Sequence, residues 1–572
     1  MKYELIGQNN YLDPIKTILT NRGIEDIQSF LNIKDNVIIH WSKLVNIGRA
    51  VECLMKHVAN GGKIFIQVDA DPDGYTSSTL LISYLTKVFP NINIQWRLHN
   101  GKEHGVIVDT VPDDINLVIL PDAGSNQFEE HRQLKSRGID VIVLDHHECS
   151  EESKDAIIVN SQISPEYHNK QFSGVGITYK FCKALDSKLG INHADEYLDL
   201  VAIGNIADSQ DMRSLETRYY VNKGLKNIKN KFLKALCEKQ SYSTKDVINI
   251  TSTSFYINPL INACIRVGSM EEKEQMFRAF LETDETVPYT KRGSKTTVNE
   301  PIELNTARLL GNLKAKQDRL RNKAITEITE RINDRNLLIN KVLIVDISEI
   351  LHRNLTGVVA NKLAEEYKRP SMLIRYNNED NTYTGSIRGY EKGYVKDFKS
   401  LLLETGDFIF VEGHPNAAGF KIEPEKVMRV NSKINEKLKD IVIDSDLHLV
   451  DFVIKVKQLS TSLIKEISNY KDIWGQNVDE PLLLIKDIEI NKDEIYLNGK
   501  TSKTLKFISN SIEFIKFFSS EDEWESMKGQ GERLVLDVVG KCGLNKWEGK
   551  ETPQIIIEDY EVTKVKKKEL VF

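Results

Sequence analysis

Cysteine is scarce in this chain and scattered: six in 572 residues, at 53, 149, 182, 237, 264 and 542, with no CxxC pair. That argues against a zinc ribbon or a disulfide framework and fits reduced thiols in a cytosol. No uninterrupted apolar run approaches the roughly twenty residues that span a bilayer, so no membrane partner is expected. The opening residues, Met1-Lys-Tyr-Glu-Leu-Ile-Gly7, lack the basic stretch and apolar core of a signal peptide, and a cytoplasmic protein is expected. Charge of one sign is missing too. A net charge of −6 exerts no general pull on nucleic acid, so any DNA contact must come from local basic patches. Repeats and low-complexity tracts are absent, apart from a basic tail at Lys564 and Lys566-Lys-Lys568. The chain is too long for one core, which implies three or four domains.

What is present is a recurring pattern. The apolar run Val141-Ile-Val-Leu144 ends in Asp145-His146-His147. Ile64-Phe-Ile-Gln-Val68 runs into Asp69-Ala-Asp71-Pro-Asp73-Gly74, and Leu117-Val-Ile-Leu120 into Pro121-Asp122-Ala-Gly124. A further carboxylate, Asp208, closes the apolar segment Leu200–Ala207. Apolar strands that end in carboxylate or imidazole describe the carboxyl edge of a parallel sheet, where open α/β folds place ligands. Charged groups gathered there cost several kcal/mol unless something satisfies them, and a divalent cation does so. Asp69, Asp71 and Asp73 alternate, so in an extended segment they point the same way, and Gly74 permits the turn into a helix. Taken singly, Asp69–Gly74 and Asp122–Gly124 also fit plain strand-to-helix turns, Asp being a favoured helix cap. Together the four segments offer five or more oxygen ligands and up to two imidazoles, a mixture suited to manganese or magnesium. Two ions bridged by a shared carboxylate can activate a water and stabilise the leaving oxygen of a phosphate ester.

Residues 14–57 read as helical and 61–210 as βαβ units building a parallel sheet. Residues 213–280 are mostly helical; Leu281 to Pro301 reads as an irregular surface loop. A charged helix, about Glu303 to Asn333, follows. A second α/β segment starts at Lys341-Val-Leu-Ile-Val-Asp346, and about 445–572 is strand-rich, as in a small barrel. The expected domains are 1–300, 301–340 as a connecting helix, 341–440 and 445–572.

These motifs resemble those of the DHH phosphoesterase superfamily and, within it, the RecJ single-stranded-DNA exonucleases, over nearly the whole chain. The resemblance implies an α/β fold: a parallel-sheet DHH domain, a connecting helix, a DHH-associated domain and a C-terminal OB-like barrel. It implies Asp71, Asp73, Asp122, His146 and Asp208 as metal ligands and Asp69 as a ligand or support for one. His147 would contact the scissile phosphate or complete the metal site, and Asp145 would orient the imidazoles. Ser173-Gly-Val-Gly176 with Thr178-Tyr-Lys180, and Pro259–Gly268 with Asn262 and Arg266, are similar to further RecJ segments, giving Asn262 and Arg266 as substrate contacts. Gly385-Ser386-Ile-Arg388 and Glu412-Gly413-His414-Pro-Asn416 resemble the DHH-associated domain. Ser386 and Arg388 would hold a terminal 5′ phosphate, and Gly413, His414 and Asn416 would lie close to the substrate. Residues from Lys541 to Asp559 look like the RecJ barrel, with Trp474, Tyr496 and Trp547 as stacking platforms, though core packing suits any one of them better. Three departures stand out. Pro72 replaces a small apolar residue, Glu412 replaces a glycine, and Trp96–Asn100 lacks the Asn-Arg pair near the 5′ phosphate, with Arg97 or Lys102 as substitutes.

The implied activity is a single-stranded-DNA exonuclease, 5′ to 3′, releasing 5′-mononucleotides with two divalent ions, manganese preferred and magnesium able to serve. Repair, recombination or replication are the implied processes. The expected protein is a monomer whose partners are single-stranded DNA and, in transient assemblies, single-strand-binding protein or a helicase. Two alternatives remain: a phosphodiesterase for oligonucleotides or cyclic dinucleotides, which shares the metal motifs, and a non-catalytic DNA-binding scaffold of this fold, whose mark would be degenerate motifs where here each is intact.

Overall fold

The structure, a computed structural model, describes residues 1–101, 103–149, 151–291, 293–351, 353–441, 446–499, 502–547 and 550–566. Its contacts divide the chain into two units. One holds Gln28–Leu320 with Gly475–Asn477; the other holds Met1–Ile27, Arg321–Trp474 and the chain from Val478 onward. The first 27 residues thus belong with the C-terminal half and not with the remainder of 1–300.

The first unit is built on a five-stranded, wholly parallel sheet. Across it run Asn93–Leu98, Lys63–Val68, Leu117–Pro121, Asp140–Asp145 and Ile157–Asn160. Helices cover such sheets on both faces, so the strands read as continuous apolar runs rather than alternating ones. Phe65, Val118, Leu120, Val141, Val143 and Ile158 fill one core cluster. Numbered along the chain, the strand order is 2-1-3-4-5. The order reverses between Lys63–Val68 and Leu117–Pro121, and the crevice outside that point is where this topology binds ligands. Asp69–Asp73 and Asp122 are the residues that follow those two strands.

Pro72 opens the helix Pro72–Val88, with Asp71 as its cap: the Gly74 N–H donates to Asp71 Oδ1 at 2.9 Å. Proline suits the first helical position because its missing N–H would have no partner there, so the Pro72 departure costs the fold nothing. Asp69, Asp71 and Asp73 consequently do not alternate along an extended segment. One follows the strand, one caps the helix and one lies in its first turn. The expected loop at Leu281–Pro301 also differs, since Thr286–Thr290 and Thr297–Pro301 pair as an antiparallel hairpin.

In the second unit, a five-stranded mixed sheet runs Phe408–His414, Ala417–Ile422, Thr382–Arg388, Ser371–Asn377, Leu343–Asp346. Met372, Ile387, Phe398, Val411, Phe420 and Ile422 belong to its core. The C-terminal strands form a seven-stranded mixed sheet, and among the described residues no pairing joins its first and last strands into a closed barrel. The chain's first strand, Lys2–Leu5, pairs parallel with Leu447–Val450. Nearby Arg22 grips the buried Asp451 with two hydrogen bonds of 2.7 and 3.0 Å. Among the described residues no helix is long and apolar enough to cross a membrane.

Candidate metal centre

Asp122 sits at the centre of the crevice. Its backbone is left-handed, φ 66°, a region that Asp tolerates better than most residues. Its N–H donates to Leu144 O at 2.8 Å, which turns the carboxylate back over the sheet edge. There both carboxylate oxygens are buried, and among the described residues no side chain or backbone group donates a hydrogen bond to either within ordinary geometry. His146 Nε2 lies 3.3 Å from Asp122 Oδ1, 3.5 Å from Asp208 Oδ2 and 4.0 Å from Asp73 Oδ2. Ligand atoms of Asp69, Asp71 and Asp122 fall within 4.8 Å of one another, and so do those of Asp73, His146 and Asp208. Two sets of donors therefore meet at Asp122.

The electrostatics explain why such a cluster calls for cations. Burial, then the charges of Asp73, Asp71, Asp69 and Asp208, push Asp122 well above the usual carboxylate range. Burial, then Asp208 and Asp71, raise Asp73 to about 7, and burial with Asp69 raises Asp71 to about 6. Hard oxygen donors at this density, with imidazole beside them, fit manganese or magnesium.

Each ligand is positioned by a neighbour distant in sequence. Asp73 accepts from Ser173 Oγ at 2.9 Å and from the N–H groups of Gly174 and Val175 at 2.6 and 3.2 Å, the open end of the helix Gly174–Leu189. Glycine is required on both flanking helices. A Cβ at Gly174 would come within 2.3 Å of Asp122 Oδ1, and one at Gly204 within 2.4 Å of Asp73 Oδ1. Asp208 accepts from Gln210 Nε2 at 2.6 Å. Asp145 is buried and accepts from Ser125 N at 3.1 Å and from His146 N at 2.7 Å, and it pairs with His147 Nδ1 at 2.7 Å. Burial opposes the ionised forms of this last pair, but the two charges outweigh it. Asp145 is held below its usual range, and His147 is raised to about 10. His147 is thus a half-exposed imidazolium at the rim. Arg266 lies within reach of the Asp71 charge: burial lowers its pKa, against the pull of Asp71.

Asp69 is differently engaged. Its Oδ1 accepts from Gly105 N at 3.1 Å, and its Oδ2 pairs with His104 Nδ1 at 3.0 Å. His99 Nε2 lies 3.7 Å away. His99, His104 and Gln210 were not singled out from the sequence, and Ser173 was noted only as part of a family segment with no role given to it, for their partners are set by the fold. Arg97 turns to Gln67 Oε1 at 3.3 Å and Glu103 at 3.7 Å. Lys102 lies outside the described residues.

In the second unit, register aligns Arg388 with Ala417 and His414, and Ser386 with Gly419 and Glu412. Directly opposed residues share a face, so Ser386, Arg388 and His414 share the face opposite the core. Arg388 donates to Ile387 O at 2.7 Å and lies against Gly357, in the first turn of the helix Thr356–Glu366. Asn416 is spent on structure, bridging Lys396 O at 3.0 Å and Phe398 N at 3.3 Å. Gly413 has φ 128°. Of the expected platforms Trp474 is buried and Tyr496 exposed; the Trp547 side chain lies outside the described residues.

A Bacillus subtilis protein provisionally named as the SPbeta prophage-derived single-strand DNA-specific exonuclease YorK is 53% identical over the full length of both chains. The chain belongs to the RecJ group of the DHH family. Family models match in three places: the DHH family N-terminal domain over residues 63–205, the DHHA1 domain over 339–440 and the RecJ OB domain over 450–559. The single-stranded-DNA-specific exonuclease RecJ of Bacillus subtilis is 25% identical, covering 98% of this chain and 70% of that one. The crystal structure of Thermus thermophilus RecJ with Mn2+ superposes with a TM-score of 0.72 at 19% identity, covering 99% of this chain and 79% of that one. That likeness establishes the shared fold.

Proposed function

We propose that this chain is a single-strand-specific exodeoxyribonuclease that works 5′ to 3′ and releases 5′-mononucleotides, with two divalent cations, manganese preferred and magnesium able to serve. One observation carries it: Asp69 and Asp71 on one side, and Asp73, His146 and Asp208 on the other, converge on Asp122, whose buried oxygens accept no hydrogen bond from a described residue. Divalent ions held there supply a water of lowered pKa and neutralise charge on the phosphate oxygens. The chain's own residues set the geometry. Asp145 fixes the His146 and His147 backbones and keeps His147 charged, so that an imidazolium faces the phosphate. Ser173 and the helix end behind it hold Asp73 in one rotamer.

Polarity is assigned to the second unit. Ser386 and Arg388, beside the first turn of Thr356–Glu366, offer a hydroxyl, a guanidinium and a helix N-terminus to a terminal 5′ phosphate. His414 and Gly413 flank them, and the OB domain holds the strand by stacking and backbone charge. We place the enzyme in the cytoplasm, acting in repair, recombination or replication, as a monomer that meets single-strand-binding protein or a helicase on the DNA.

The test is a digest of 5′- and 3′-labelled single strands and matched duplex with manganese. Mononucleotides released from the 5′ end of single strands alone are expected. Cleavage confined to dinucleotides or cyclic dinucleotides would overturn the reading, as would binding without cleavage.

A further inference from the structure

Two adjacent aromatic rings stand in solvent. Phe255 is 70% exposed and Tyr256 42%. Both lie on a one-turn π-helix, Thr253–Ile257, that continues without a break into the helix Asn258–Val267. π-turns are rare, and they recur at functional sites because the extra residue re-aims the side chains around it. Here the widened turn turns Ser254, Phe255 and Tyr256, three residues in succession, outward, while Thr253 and Ile257 stay buried.

The rings are aligned with the face of the helix that carries Asn262 and Arg266. Residues three and four apart share a helix face, so Phe255 and Tyr256 lead to Pro259, then to Asn262 and Arg266, and Pro259, Asn262 and Arg266 are each partly exposed. Arg266 is near enough to feel the Asp71 charge. At the base of the same helix Asn258 Nδ2 donates to Ile203 O at 3.5 Å, next to Gly204, whose Cα packs on Asp73. At about 1.5 Å per residue the rings stand roughly 15 Å from Arg266 along the axis, at most about four nucleotides of a stacked strand.

We propose that Phe255 and Tyr256 are a base-stacking platform for a single strand whose scissile phosphate lies at the metal centre, gripping bases within the first few nucleotides inward from the cleavage point. The inference rests on the single-strand reading above and adds a subsite to it. Stacking is indifferent to base identity because every base has a π-face, which suits an enzyme that must take any sequence. A protein partner would need a larger apolar surface than two rings, and continuity with Asn262 and Arg266 favours the strand.

The experiment measures fluorescence anisotropy of labelled 20-mers in chelator, so that no cleavage occurs, with one abasic site moved through positions two to six. In the unaltered protein one or two of these positions should weaken binding by about tenfold. Phe255→Ala with Tyr256→Ala should weaken binding of the intact strand by a similar factor and make it insensitive to the abasic position. Phe255→Trp should restore that sensitivity. The exposed ring of Tyr242, off this helix, supplies the control. Abasic profiles that survive in the double variant would overturn the inference, as would an equal loss from Tyr242→Ala. If the unaltered protein fails to bind single strands at all, it is the single-strand reading that falls.

Discussion

Ser173 Oγ donates to Asp73 Oδ1 at 2.9 Å, a bond between residues one hundred positions apart that ties the first strand's loop to a helix beyond the fifth strand. Without the hydroxyl, Asp73 keeps two backbone donors but loses the one that fixes its rotamer. Ser173→Ala should therefore weaken Mn2+ binding measured by calorimetry and lower turnover by about tenfold, the scale of one charge-assisted hydrogen bond. Unchanged ion affinity would show that the helix N–H groups suffice.

Asp122→Asn keeps the shape and tolerates the left-handed backbone, but removes a charge that four neighbouring carboxylates repel. Hydrolysis should fall below detection. In chelator near pH 8, however, the melting temperature should rise, by about 2–4 °C for each kcal/mol of repulsion relieved. A variant that both melts lower in chelator and still cleaves would contradict the shared-ligand assignment.

Proton and cation compete for the same oxygens. Folded Asp71 and Asp73, at about 6 and 7, lie above the ordinary carboxylate value, so the ion-free protein binds more protons folded than unfolded across that window. The contribution of these two groups to stability is most favourable below the ordinary carboxylate value of about 4 and is lost as pH rises from there through about 6 to 7. Mn2+ should accordingly raise the melting temperature more near pH 8 than near pH 5.5, and ion binding near pH 6.5 should release protons into buffers of differing ionisation enthalpy. Equal Mn2+ shifts at both pH values would exclude these carboxylates as the coupled groups.

Arg388→Ala should slow degradation of 5′-phosphorylated strands by about ten- to a hundredfold and reduce the preference for phosphorylated over hydroxyl ends. Matched substrates bearing either end provide the comparison. Equal losses on both would mean that Arg388 grips an internal phosphate.

Arg22 and Asp451 form a buried pair in which Asp451 remains above its usual range because burial outweighs the guanidinium. Arg22→Met alone strands the carboxylate and should cost about 3–5 kcal/mol in denaturant unfolding, while Arg22→Met with Asp451→Leu should recover most of it.

The parallel sheet and its ligand edge were legible because buried parallel strands are continuous apolar runs, and the carboxylates and imidazoles follow them directly in sequence. Asp145-His146-His147 stood out by itself, whereas Asp122 was legible as a ligand only beside the other segments that end in the same way. What the sequence hid is whatever depends on contact across the fold: the His104 bond to Asp69, the Ser173 bond to Asp73, and the withdrawal of Asn416 into turn structure. The hairpin Thr286–Pro301 was hidden for a different reason. Its strands are mostly exposed and polar, so no apolar alternation marks them. The seven-stranded C-terminal sheet was legible as short strands but not as an order, since Phe452–Lys455 and Leu483–Asn491 pair parallel, against the hairpin expectation.

The pairing of Lys2–Leu5 with Leu447–Val450 has a consequence for synthesis. A ribosome adding about 5–20 residues per second needs roughly 20–90 seconds to make the partner strand after the first has emerged. Throughout that interval the Gln28–Leu320 unit, contiguous but for three residues, can close its own sheet, while the opening strand waits as an unpaired edge. The nuclease half is therefore able to mature before the half that receives the chain's first residues exists.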